Sequence, residues 1–171
     1  MSTQSSPQNE DKPIPKVLQE SVARWVKVAR ENLEADGHLQ PTAIVGNSQT
    51  GKMMMLGLDT SSDMAKDAMA AHLRYVAEET NANYIFTIFD AWILRPDKVH
   101  EYDKIISIYG SIGQSPYRVD SVSFMLETKA GQWTGVAQQK KLGLSNKKKT
   151  FGEVKFSSMT GSGRFANLLK G

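Results

Sequence analysis

The chain has 171 residues, no cysteine, three histidines (His38, His72 and His100) and a net charge of +3. That length suits one domain with a single core. The missing sulfur excludes disulfides, thiolate chemistry and sulfur-ligated zinc, and with only three histidines and no cofactor fingerprint no metal site or cofactor is expected. No run approaches the roughly 20 apolar residues of a membrane span, and Met1 to Gln8 lacks the basic and apolar regions of a signal peptide, which predicts a cytoplasmic protein.

The charge is unevenly spread. Residues 1–139 carry 13 Lys and Arg against 17 Asp and Glu, whereas residues 140–171 carry eight against one. Residues 1–14 are polar and punctuated by Pro7 and Pro13, with too few apolar groups to offset the entropy of ordering them. The chain therefore divides into a disordered arm (1–14), a core domain (15–139) and a basic C-terminal segment (140–171).

From Lys16 to Ala35, apolar residues Leu18, Val22, Trp25, Val26, Ala29 and Leu33 recur every three or four positions and predict an amphipathic helix ended by Gly37. Thr42 to Val45 and Lys52 to Leu58 flank the turn residues Gly46 to Gly51 and predict a β-hairpin. Gly46-x-x-x-x-Gly51-Lys52 matches a phosphate-binding loop up to its last residue, where Met53 replaces the required hydroxyl and a strand replaces the required helix. Thr60 to Asp63 is a capping signal for a second helix running to about Glu79, with Ala65, Ala68, Met69, His72, Tyr75 and Val76 expected on its inner face.

Tyr84 to Leu94 is the longest run rich in aromatic and β-branched residues and predicts a central strand covered on both faces, ended by Pro96. Asp97 to Asp103 is a charged loop containing His100, and Lys104 to Tyr109 is expected to be a strand. Arg118 to Thr128 and Gln132 to Gln139 predict two further strands joined at Ala130-Gly131. Thr150 to Phe156 is a candidate edge strand, and Gly163 to Leu169 a short terminal helix. The order αββαβββ, with a weak C-terminal strand and helix, predicts a single α+β domain: a largely antiparallel sheet of five to six strands with two packed helices.

Two features invite chemistry. Asp90 interrupts the central strand, and a carboxylate in an apolar setting must be paired or hydrogen-bonded. Its expected partners are Arg118, as an ion pair, or His72; opening into a cleft would instead suit an active site. The basic segment offers Lys140, Lys141, Lys147, Lys148, Lys149, Lys155 and Arg164 interleaved with Phe151, a composition suited to phosphate contacts with base stacking, or to a solvated tail.

The element order is similar to roadblock-like and profilin-like domains. Asp90-Ala91-Trp92 and Ser115-Pro116-Tyr117-Arg118 resemble segments of small bacterial and phage proteins of unassigned function, a resemblance that implies no activity. With no catalytic constellation or cofactor fingerprint, the expected function is that of a non-enzymatic binding or regulatory protein, of a kind encoded by phage or mobile elements. It would act through protein–protein contacts or self-association. The alternative is a nucleic-acid-binding protein using residues 140–171, and the third reading is a hydrolase using Asp90 or the His100 loop.

Overall fold

A computed structural model describes residues 11–144, 148–160 and 164–169. Helix α1 (Lys16–Asp36) follows Pro15 and ends where Gly37 takes φ 76° and its N–H bonds Leu33 O at 2.8 Å. Strands β1 (Thr42–Gly46) and β2 (Met53–Gly57) form the expected hairpin. Helix α2 (Asp63–Glu79) is capped by Ser62, whose hydroxyl accepts from Ala65 N at 3.0 Å. Then come β3 (Tyr84–Leu94), a short 3₁₀ helix (Pro96–Glu101), α3 (Tyr102–Tyr109), β4 (Arg118–Thr128), β5 (Gly131–Lys141), β6 (Lys149–Phe151) and β7 (Phe156–Met159).

All strand pairs are antiparallel. The order is β2-β1-β3-β4-β5-β6, with β7 pairing the first half of β5. The α+β class holds. Alternation along the strands gives the sheet two apolar faces, each covered by one helix. Leu18, Trp25, Val26 and Leu33 of α1 pack on Phe86, Phe124 and Trp133. Ala70, Leu73, Val76 and Ala77 of α2 pack on Ala43, Val45 and Ile85. The inner stripe of α2 is thus rotated from the expected one: it centres on Leu73, the helix's one leucine, while Tyr75 is 60% exposed and His72 is exposed as well.

Lys104 to Tyr109 is helical, not a strand. Only Ile105 of α3 is buried, so the segment has no sheet face to alternate against. Its Ile105, Ile108 and Tyr109 suit a helical stripe equally well over eight residues. The helix serves as part of the connection between β3 and β4, which meet at Leu94 and Arg118.

Both chain ends differ from expectation. Residues 1–10 lie outside the described residues, but residues 11–14 of the arm are ordered on the sheet. The Trp133 indole donates to Lys12 O at 2.7 Å, and Asp11 accepts from Ser158 N at 2.7 Å. The boundary expected after Gln139 falls inside β5, and the basic segment supplies β6 and β7. Residues 164–169 form turns rather than a helix: Asn167 takes φ 57°, and the N–H groups of Leu168 and Leu169 are bound by Glu127 at 2.9 and 3.1 Å. Glu127 is 4% exposed, and burial raises its pKa above the usual carboxylate value despite these bonds. It anchors the end of the chain in the α2-side core, where Leu168 is buried.

Candidate functional site

The sheet has a step in it. Strand β1 is five residues long and β3 eleven, so pairing between them stops at Thr42 opposite Ile88. Pro41, next along, lacks the N–H a further rung would need. Beyond Ile88, β3 pairs with β4 alone among the described residues. Arg95 N bonds Tyr117 O across this ladder, which fixes the odd-numbered residues of β3 as those bonding β4. By alternation, the backbone groups of Asp90, Trp92 and Leu94 point to the open side.

A cleft of about 730 Å³ lies along that side. Asp90, Trp92, Asp120, Gln139 and Lys149 line it from the α1 face of the sheet, beyond the end of that helix. Phe89, Lys66, Arg164 and Phe165 line it from the α2 face. His38, just past α1, reaches the same cleft.

Asp90 therefore opens into a cleft, the setting that would suit an active site, but its hydrogen-bond partners there are an amide and a backbone N–H rather than a base or nucleophile, and the ion pair with Arg118 does not form. In register Asp90 faces Val122 and Arg118 faces Leu94, four residues away, or about 13 Å at strand rise. The Asp90 carboxylate instead accepts from Gln139 Nε2 at 3.1 Å and from the Leu39 N–H. Burial within the cleft raises its pKa above the ordinary Asp value, opposed by those two hydrogen bonds and by the charge of Lys149. His72 is no partner either, since it lies on the outer side of α2, across the sheet. Arg118 donates to Gly113 O at 2.7 Å and places its guanidinium 5.2 Å from the Trp92 ring centre. The Trp92 indole donates to Asp120 at 3.1 Å, and Asp120 pairs with Lys149 at 3.3 Å. The indole is thus held in place yet remains 54% exposed.

The basic segment is divided by the fold. Phe151 is 2% exposed, beneath the guanidinium of Arg30 at 4.7 Å, and so is closed to base stacking. Phe156 packs against Phe86 and Phe124, and Phe165 against Phe89. Arg164 pairs with Asp67 at 2.5 Å and with Asp63 at 3.5 Å. Lys140, Lys141, Lys148 and Lys155 are exposed, and Lys147 lies outside the described residues. The His100 loop is a 3₁₀ turn held by Arg95–Asp97 at 2.6 Å and Lys98–Glu101 at 2.8 Å, with His100 exposed. The glycine-rich turn after β1 is a hairpin turn in which the Asn47 side-chain Oδ1 accepts from Gln49 N and Thr50 N.

Sequence reasoning missed Trp92, Asp120, Gln139 and Lys149 as one surface. The signal available was the mismatch in length between the β1 and β3 runs, which leaves half of the longer strand without a partner on one side. Among the described residues no helix is long and apolar enough to cross a membrane, and no group of three acidic or histidine side chains is placed to hold a metal ion. In comparison with known proteins, no family model, no curated protein and no solved structure matches the chain.

Proposed function

We propose that the chain is a non-enzymatic peptide-binding domain, which accepts an extended segment of a partner protein as an added strand on the open side of β3. The observation that carries this reading is the step in the sheet: backbone donors and acceptors of Asp90 and Trp92 point to the open side of β3, where the cleft lies. Main-chain pairing of this kind supplies affinity, and side-chain pockets at alternate positions supply specificity. Trp92 is the apolar anchor, since exposed, positioned tryptophans commonly dominate interface energetics. Acidic Asp90 on one wall and basic Lys66 on the other favour a partner segment carrying both signs of charge.

Selection from a displayed library of random extended peptides tests the reading, followed by amide hydrogen exchange on the complex. Bound peptide should slow exchange at Trp92 and Leu94. Trp92→Pro, which removes an outward N–H and leaves the β4 ladder intact, should abolish binding, whereas Trp92→Phe should only weaken it. Selected peptides that bind Trp92→Pro as well as the parent protein, or that leave both amides unprotected, would reject it. A nucleic-acid reading rests on the exposed Lys140, Lys141, Lys148 and Lys155, without the aromatic stacking that Phe151 was expected to give; it would be favoured by retention on nucleic acid that falls steeply with salt.

A further inference from the structure

The opposite margin of the sheet presents a different surface. Strand β2 is its outermost member and pairs only with β1 among the described residues. It carries three consecutive exposed methionines, Met53, Met54 and Met55, at 55, 45 and 59%. The hairpin bonds fix which backbone groups point outward. Asn47 N bonds Lys52 O and Leu58 N bonds Pro41 O, so in this antiparallel ladder Met54 and Leu56 bond β1. The N–H and C=O groups of Met53, Met55 and Gly57 face away from the sheet.

An exposed apolar edge is a template for pairing, which proteins ordinarily blunt with charge, proline or a bulge. Here the charges lie only at the two ends, Lys52 before the strand and Asp59 after it, both exposed. Gly57 is the second informative feature. It does not take a left-handed conformation, and a side chain added there would meet no atom within 4 Å. Nothing among the described residues requires glycine at that position, where it weakens the strand, and a strand glycine often marks close approach by another backbone.

We infer that two copies of the chain dimerise by pairing β2 with β2 of the second copy, antiparallel about a two-fold axis at Met55. This goes beyond the peptide-binding reading and uses the other edge of the sheet. Residues facing outward are those such a pairing needs. Met55 lies opposite Met55 of the second copy, and Met53 lies opposite Gly57, so that a long side chain meets an empty place twice over. Lys52 falls opposite Leu58 of the second copy, one residue from Asp59, so that charges of opposite sign are brought near each other at each end. The two-fold makes the surface self-complementary, as an isologous interface must be. The two sheets become one.

Sedimentation equilibrium of the full chain over a concentration series is the test. The parent protein should show a reversible monomer–dimer equilibrium. Gly57→Val should weaken dimerisation about tenfold or more while leaving the fold as stable or more so, because a β-branched residue suits a strand and has room in the monomer. Met55→Pro should abolish dimerisation with the far-ultraviolet circular dichroism unchanged, since its N–H points outward. Lys52→Glu should weaken the dimer, and combining it with Asp59→Lys should restore it, which keeps the test decisive if the proline variant fails to fold. A parent chain that is monomeric up to about 1 mM would overturn the inference. So would a dimer indifferent to Gly57→Val and to the charge reversals. Neither result bears on peptide binding at β3.

Discussion

The two halves of β3 have similar composition and opposite fates. Tyr84 to Ile88 is buried throughout, flanked by β1 and β4 and covered by both long helices. Phe89 to Leu94 continues the same strand with exposed residues at Asp90 and Trp92, one edge open, and a cleft beside it. What separates them is not hydrophobicity but neighbours: β1 is too short to accompany the second half, and α1 ends before reaching it. Phe86 is core in one half, and Trp92 stands exposed beside the cleft in the other.

Substitutions should register that contrast. The largest effect is expected in the covered half, where Phe86 is fully buried against Trp25 and Phe124; Phe86→Ala should cost about 3–5 kcal/mol in urea unfolding. Next is Glu127, opposite Ile85 in register. Glu127→Ala leaves one buried and one half-buried N–H group without their acceptor and should cost about 1–3 kcal/mol, with faster amide exchange at Leu168 and Leu169.

Glu127 also carries a pH signature. Its raised pKa means that the folded state holds a proton that the unfolded chain has already released. The stability it contributes is intact below the unfolded value and is lost as pH rises through the folded one. Relative to Glu127→Gln, the parent protein's urea midpoint should therefore fall as pH climbs above about 4.3, the ordinary Glu value. A constant difference between the two would show that the carboxyl does not titrate differently on folding.

At the junction of the halves, Asp90→Ala should cost about 1 kcal/mol, through the bonds to Leu39 N–H and Gln139. Smallest in stability is Trp92→Ala in the open half, within about 1 kcal/mol despite the size of the side chain. It should nevertheless remove binding of a peptide selected on the cleft. If Trp92→Ala instead unfolds the chain as Phe86→Ala does, the two halves are energetically alike and the comparison fails.

Much of the architecture was legible from the chain. The period of Leu18, Val22, Trp25 and Ala29 marked α1, the turn residues around Asn47 marked the hairpin, and Ser62 marked the start of α2. Local signals sufficed because each of these is settled within a few residues. The rest depended on contacts distant in sequence. Strand β6 forms because Phe151 finds α1 and the sheet, and Phe156 finds Phe86 and Phe124; Thr150 to Phe156 was marked as an edge strand, but the lysines around it suited a solvated tail equally well. Glu127 carries no local signal in the sequence, because its partners Leu168 and Leu169 lie far downstream. Asp90 was marked as needing partners, but which ones it meets turned on register, and register is not visible before strands are paired.

The placement of the three tryptophans gives the molecule a built-in optical reporter. Trp25 and Trp133 are 7 and 2% exposed, whereas Trp92 stands half in solvent. In the folded protein a collisional quencher such as acrylamide reaches essentially one fluorophore, and that one sits on the cleft. Red-shifted, quenchable emission then belongs to Trp92 and should fade when a strand is laid beside it, while the blue-shifted emission of the other two follows folding alone. Occupancy of the cleft and integrity of the core can thus be read from one unlabelled sample, at two ends of the same spectrum.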